Sequence, residues 1–380
     1  MLFLIIFWVS WLVLAYHMIG YGLVLYLINL FKSIPPTKTI SNFPTIIVLC
    51  AAYNEEKVIG EKIESFLSLD YPKDKIKMIV ISDNSTDATN EIVSRYTNYN
   101  VELVIQRPRR GKQSAHNMVL PGLNCDYVLS TDANSIFEPN SVSLLVQRMQ
   151  SNPKLGMVTG ELRLQKKGNQ QSGEGLYWRY ETFLKVMDSK FRSVICANGA
   201  LFLIKREFFT PIDLQSADDF ERTLIVLRNH ALVAYEPKAI VTEDETQKAS
   251  EEISRKIRII TQEWFALSRN ATLLNPFRFP LISFLLVSHK LIRWLFFVFV
   301  LTGLISSLLL SGITFYCIVF IMQLMVYSLG MLGLFMQKRN VRIPFTGIAA
   351  YIVAMIYSSL VAFVNYVFNR SNFGFWKPIR

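Results

Sequence analysis

An α/β domain set between membrane-spanning helices is the fold class this sequence predicts. Three observations carry that prediction. Hydrophobic residues fill 51% of the 380 positions while charged residues fill 18%. The apolar residues concentrate at the two ends of the chain. Between them, short apolar runs alternate with segments of helical periodicity. Soluble domains average ~25% charged residues, and a disordered chain or a coiled coil would carry more, so both are excluded. Lys and Arg outnumber Asp and Glu by 40 to 29, for a net charge of +11. Beside long apolar runs this excess reads as loops facing an anionic leaflet. A nucleic-acid footprint would cluster the basic residues on a soluble face with aromatic stacking positions, whereas many here flank apolar runs, so no nucleic-acid partner is expected.

The first element, residues 1–31, is one transmembrane helix. From Leu2 to Leu30 there is no Lys, Arg, Asp or Glu, and the run exceeds the ~20 residues that cross a bilayer. A cleaved leader would show a basic start, a shorter apolar core and a small-residue cleavage site, and this segment has none of them. Lys32 and Lys38 follow, with Pro35 and Pro36 as a stiff break, which places residue 32 onward in the cytoplasm.

Residues 40–270 have ordinary globular composition and supply one sizeable core. Thr45–Ala51, Ile76–Ser82, Val101–Gln106 and Tyr127–Thr131 read as buried strands. Lys57–Leu69, Ala88–Tyr96 and Gln113–Leu120 read as the helices between them. Continuous apolar strands separated by three-turn helices predict a parallel sheet covered on both faces. Within its second half, Glu251–Arg269 reads as an amphipathic helix, with Ile253, Ile257, Ile260 and Trp264 at three- and four-residue spacing.

Hydrophobicity returns after Asn275. Residues 276–294 mix apolar side chains with Arg278, His289, Lys290 and Arg293, the profile of an interfacial helix. About three spans then fill 295–368, followed by a short basic tail, 369–380. Lys338, Arg339 and Arg342 place their loop inside, yet three full spans leave Arg370, Lys377 and Arg380 outside, against the same rule. The spans hold almost no ionisable residue, which argues against a transporter. Cys50, Cys125, Cys196 and Cys317 have no CxxC spacing and read as buried free thiols, and the four histidines show no ligand spacing.

Ligands of open α/β sheets bind outside the carboxyl ends of the strands. There the sequence places Tyr53-Asn54-Glu55 after the first strand, Asp83-Asn84-Ser85-Thr86-Asp87 after the second, Arg107 to Lys112 after the third and Asp132-Ala133-Asn134 after the fourth. Singly these read as well as helix caps, a solvated basic loop or a turn. In this order, with Asn117 behind Gly111-Lys112, they resemble the GT-A catalytic domain of family 2 glycosyltransferases, whose membrane members share this layout of flanking spans. The resemblance covers about 40–270. It implies a Rossmann-like nucleotide-sugar domain, with Tyr53, Glu55, Asp83, Lys112 and Asp132 binding the donor. It also implies a divalent cation, Mg²⁺ or Mn²⁺, at Asp132 and Asn134. Where the family often has a second aspartate this chain has Asn134, so the metal rests mainly on Asp132. A lysine and a divalent ion suit the chemistry, because a departing nucleoside diphosphate develops negative charge.

On the acceptor side, Cys196-Ala197-Asn198-Gly199-Ala200 resembles the family's small-residue acceptor strand. Ser216-Ala217-Asp218-Asp219-Phe220-Glu221 resembles its acidic motif. The match implies Asp219 as general base, with Asp218 as a neighbour able to raise its pKa, and Asn198 and Gly199 near the acceptor. N-capping by the acidic pair is the competing reading. Processive members carry a QxxRW motif in contact with acceptor glycan and donor diphosphate; here Arg255-Lys256-Ile257-Arg258 and Gln262-Glu263-Trp264 stand in its region and the motif as such is absent, so Arg258 reads either as a contact to the substrates or as part of a solvated or lipid-facing helix.

The expectation is therefore an integral, multi-pass enzyme of the plasma (inner) membrane with a cytoplasmic catalytic domain. It moves a sugar from a nucleotide-diphosphate donor, usually uridine-linked in the family, with inversion to a lipid-linked or growing glycan for the cell envelope or exopolysaccharide. The alternatives are a processive polysaccharide synthase and a catalytically silent assembly or binding subunit.

Overall fold

The computed structural model describes residues 1–33, 39–40, 42–165, 176–244, 249–338 and 346–368. Pro35, Pro36 and Lys38, the basic positions Arg339 and Arg342, and the tail 369–380 lie outside them, so the orientation argument built on those residues does too. The chain divides into two units, a sheet domain drawn mainly from 28–245 and a helical unit whose described residues fall in 1–27, 249–264 and 283–368.

The sheet domain holds eight strands: β1 (Ile46–Ala52), β2 (Ile76–Asp83), β3 (Val101–Gln106), β4 (Tyr127–Asp132), β5 (Ile136–Phe137), β6 (Leu155–Gln165), β7 (Leu201–Lys205) and β8 (Leu232–Asp244). They lie in the order β3-β2-β1-β4-β7-β6-β8-β5. The first four are parallel, as their unbroken apolar runs require: Val48, Val80 and Leu129 are fully buried, covered on both faces by helices such as Ile59–Leu67. The all-parallel expectation fails beyond β4. Strand β7 runs antiparallel to both β4 and β6, β6 and β8 are parallel, and β5 closes antiparallel on β8. The reversal has a local cause. Chain leaving the helix Leu176–Phe191 enters β7 through Asn198-Gly199-Ala200 with Thr131 of β4 opposite Leu201. The start of β7 thus lies beside the carboxyl end of β4, which no parallel strand could achieve.

In the helical unit, Leu2–Asn29, Thr314–Met336 and Thr346–Phe368 are long and apolar enough to cross a membrane. An interfacial helix and a separate span were expected between 276 and 311. The chain instead forms Pro280–Trp294 and Phe296–Leu309, bent by 61°. The second has 14 residues, a rise of about 21 Å against a hydrocarbon thickness of about 30 Å. It makes a fourth candidate span only together with the first. The polar residues of Pro280–Trp294 face inward: Lys290 is paired with Glu263 at 2.5 Å, and Trp294 Nε1 donates to the same carboxylate at 3.0 Å.

Gly330 and Gly333 let Thr314–Lys338 approach Thr346–Phe368 closely, the small-residue device of membrane helix pairs. A methyl at Gly330 would stand 2.5 Å from the Ala349 carbonyl oxygen, an atom that cannot swing away. Gly330→Ala is accordingly expected to lower the melting temperature in detergent by at least about 2–4 °C, the shift produced by about 1 kcal/mol of overpacking. An unchanged melt would mean that the two helices can part freely.

Candidate active site

Four strand ends and one helix start build the site. After β1 and β2 the chain turns through Asn54 and Asn84, both in the left-handed region (φ 54° and 60°) that Asn tolerates. The two turns clasp one another. The Thr86 amide donates to Asn54 Oδ1 at 2.8 Å, the Asn54 amide to Ser85 Oγ at 3.1 Å and the Glu56 amide to Asp87 Oδ2 at 3.1 Å. Asp87 Oδ1 also accepts from the Thr89 amide at 3.0 Å, just ahead of the helix Thr89–Ser94, whose N-cap is Ala88. Glu55 is fully buried at the end of this pair, and Tyr53 is half-buried with the Arg109 guanidinium 3.5 Å above its ring.

Asp83 is only 4% exposed. Its carboxylate accepts from Gln106 Nε2 at 2.5 Å, from the Arg110 amide at 2.8 Å and from the Gly111 amide at 2.8 Å. Asp83 therefore frames the basic loop after β3. Gly111 closes that loop at φ 88°, where an L side chain would be strained, and hands the chain to the helix Lys112–Val119.

That short helix joins the two halves of the site. Its first residue, Lys112, donates to Asp132 Oδ1 at 2.6 Å. Burial would lower the Lys112 pKa, but the carboxylates of Asp132, Asp218 and Asp219 outweigh it and hold the ammonium well above its ordinary value. Its second residue, Gln113, donates to the Ser216 carbonyl at 2.8 Å, and Asn117 exchanges hydrogen bonds with the backbone of Ile212. One helix thus bonds both to Asp132 and to the chain around the acidic motif at 216–219.

Asp219 is half-buried at the start of the helix Asp218–Arg228, and Oδ1 accepts from the Phe220 amide at 2.8 Å. Gly199 packs against its other oxygen: a methyl on Gly199 would lie 3.2 Å from Asp219 Oδ2. Asn198 orders this turn by accepting from the Ala200 amide at 3.2 Å, while its own amide donates to Thr159 Oγ1 at 2.8 Å. Gly199→Ala is expected to push the Asp219 carboxylate by a few tenths of an ångström and slow turnover by about tenfold with an unchanged melting temperature, since placement errors near 1 Å cost ~10²-fold. Full turnover in that variant would separate Gly199 from the reacting atoms.

Asp218, expected as a like-charged neighbour of Asp219, is held in a buried ion pair. It is buried, and its Oδ1 accepts from Arg222 Nε at 2.6 Å, with His116 Nδ1 at 3.5 Å from Oδ2. Burial would raise its pKa, but Arg222 and then His116 outweigh that and hold the carboxyl well below the usual range. Its charge is already neutralised by Arg222. Arg222 also donates to the Thr210 carbonyl at 2.9 Å and lies 3.6 Å over the Phe209 ring. Arg222 and His116 escaped the sequence reading. The four-residue spacing Asp218 to Arg222 was the available signal for one; nothing local marks the other. Arg258 lies on Ala249–Arg269 in the helical unit, donating to Gln262 Oε1 at 3.3 Å.

A divalent cation would draw on a sparse donor set. Among the described residues no three His, Cys, Asp or Glu side chains converge as ligands. Asp132 spends one oxygen on Lys112 yet remains 40% exposed, and Asn134, two residues on, is half-buried. One carboxylate and one amide oxygen suit a hard cation that takes its remaining oxygens from substrate phosphates and water. They do not suit an all-protein cage. The cysteines are free; Cys50 is buried and the other three only partly so.

The parallel half-sheet β3-β2-β1-β4, continued by the antiparallel strand β7, is a mixed α/β sheet of the GT-A kind. Residues 47–212 match the sequence model described as "Glycosyl transferase family 2", and this part of the chain is a family 2 glycosyltransferase domain. The chain is 28% identical over 256 residues to the Probable glycosyltransferase YdaM of Bacillus subtilis, covering 62% of this chain and 60% of that protein. It is 28% identical over 204 residues to a Poly-beta-1,6-N-acetyl-D-glucosamine synthase of Staphylococcus epidermidis, covering 51% and 48%. The matched stretch thus spans about half the length of such relatives. Among solved structures, the mannosyltransferase PcManGT of Pyrobaculum calidifontis, in complex with GDP-Man and Mn²⁺, superposes with a TM-score of 0.71 at 18% identity, over 96% of this chain and 100% of that one. At that identity the likeness speaks for the fold.

Proposed function

We propose that this chain is a membrane-anchored, inverting glycosyltransferase that moves a sugar from a nucleotide-diphosphate donor to a hydroxyl of a lipid-linked or growing glycan. The observation that carries this reading is the convergence of the Lys112–Asp132 pair and Asp219 on the carboxyl edge of β4, with Gly199 against the Asp219 carboxylate. Tyr53 and Glu55 would line the nucleoside end, with Asp83 acting through the 109–111 loop that it holds. Asp132 and Asn134 would hold a divalent cation, Mg²⁺ or Mn²⁺, which when bound supplies positive charge to the diphosphate. Lys112 supplies the same from the protein. As the acceptor oxygen bonds to the sugar C1, the C1–O bond to the diphosphate breaks, the electron pair leaves with the diphosphate, and the hydroxyl proton passes to Asp219. The three long apolar helices among the described residues support a multi-pass membrane protein, and Lys32 at the end of the first supports a cytoplasmic side for this domain.

A second reading, processive synthesis, is favoured by the poly-N-acetylglucosamine synthase relatives. The absence of a QxxRW motif and the small number of candidate spans among the described residues favour limited addition.

The purified chain in detergent, offered UDP-, GDP- and dTDP-sugars with Mn²⁺, is expected to gain melting temperature with one nucleotide class, because a ligand at a hundred times its Kd adds about 2.7 kcal/mol. The same donor should transfer label to a membrane lipid extract, and product length on a sizing column separates the two readings. No thermal shift with any donor and no nucleotide released would remove the enzyme reading and leave a silent subunit.

A further inference from the structure

Lys62 has no part in the chemistry above, yet it is fully buried in the sheet domain on the helix Ile59–Leu67. A lysine is almost never fully buried unless its ammonium is paired. Here the ammonium donates to Thr131 Oγ1 at 2.8 Å and to the Ser135 carbonyl, and it sits 3.4 Å from the centre of the Phe137 ring. Thr131 passes the interaction on, its hydroxyl donating to the Ala200 carbonyl at 2.9 Å, next to Gly199. From the far side, the Ser135 hydroxyl donates to Glu243 of β8. The segment gripped in this way is the turn that carries Asp132 and Asn134. Thr131 and Ser135, its two ends, are both fully buried.

We infer that Lys62 is a positioning residue for donor binding: by bonding both ends of the 131–135 turn it presets Asp132 and Asn134 to hold the cation and diphosphate of the donor. This rests on the donor-site reading given above. Structure alone would favour a different residue, since an apolar side chain of similar length would fill the same space without desolvating a charge. The ammonium also ties the donor turn, through Thr131, to the first residues of the acceptor-side strand, so one buried group sets the spacing of both.

The test uses the full chain in detergent, with Mn²⁺ titrated at fixed UDP and, in parallel, at fixed GDP, read as thermal shift. Lys62→Met is expected to raise the Mn²⁺ concentration needed for half the shift by about tenfold, the scale of lost outer contacts at metal sites, with the nucleotide-free melt little changed. Thr131→Val, which leaves Lys62 in place, should act in the same direction, and the double variant should be no worse than Lys62→Met alone. Turnover should fall while the KM for acceptor holds. Wild-type Mn²⁺ dependence in Lys62→Met, or additive effects in the double variant, would overturn the inference. If Lys62→Met does not fold, Thr131→Val decides, and an unshifted Mn²⁺ titration there overturns it. Absence of any Mn²⁺-dependent shift in the wild type removes the donor reading itself, and this inference with it; a wild-type shift that both variants retain removes the inference alone.

Discussion

Asp219→Asn is expected to lower kcat by about 10³-fold, within the 10²–10⁴ range for removing a general base, while the melting temperature and the donor KM stay near wild type. The substitution is nearly isosteric, and an amide oxygen can still accept from the Phe220 amide as Oδ1 does at 2.8 Å. What is lost is the capacity to take a proton at the moment the acceptor oxygen attacks. Gly199 gives the carboxylate room on its other side, and the Lys112 ammonium feels Asp219 as well as Asp132, which in the proposed mechanism keeps positive charge near the leaving diphosphate. Initial rates of label transfer for wild type and variant, with melting curves on the same preparations, make the comparison. Equal rates would remove Asp219 from the chemistry.

The largest stability effect should come from the group behind it. Removing Arg222 strands the buried Asp218 carboxylate, and removing one partner of a buried pair typically costs about 3–5 kcal/mol. Arg222→Met should therefore melt far below wild type, and Asp218→Asn nearly as far. Asp218→Asn combined with Arg222→Met should recover much of the loss, since no charge is then left unpaired. Acid should weaken the same spot in two stages. Burial pushes the His116 pKa down, partly opposed by Asp218 and aided by Lys112 and Arg222. The unfolded chain therefore takes up that proton first, and stability falls as pH drops below the ordinary histidine value of about 6.5. The Asp218 pKa is depressed, so its contribution is fully present above about pH 4 and is withdrawn as pH falls further. Melting curves between pH 8 and 3 check both stages, and His116→Gln should remove only the upper one. A flat profile down to pH 4 would mean that His116 does not titrate on unfolding.

Much of this site can be read without the fold. The strand ends stand out because an apolar run followed by Asn, Asp, Lys or Gly marks where a buried strand reaches the surface; Lys112 and Asp132 stand out in this way, whereas Asp219 is marked only by the resemblance of 216–221 to the family's acidic motif. Other residues change meaning once packed. Asp83, read as a donor ligand, also holds Gln106 and the amides of Arg110 and Gly111. Asp218 reads as a like-charged neighbour and proves to be half of an ion pair. Lys62, inside the expected helix Lys57–Leu69 and with nothing in its neighbourhood to single it out, lies in the core.

By itself the sequence determined the membrane-flanked α/β class, the four parallel strands and the polar groups at their carboxyl ends. All of these follow from periodicity and turn chemistry acting over a few residues. Only the tertiary structure decided that β7 runs backwards beside β4, that Gly199 therefore meets Asp219, and that Lys62 grips Thr131 from 69 residues away. Those outcomes depend on which buried donors and acceptors must find partners once water is gone. That requirement is met across the whole chain, and no local pattern of residues records it.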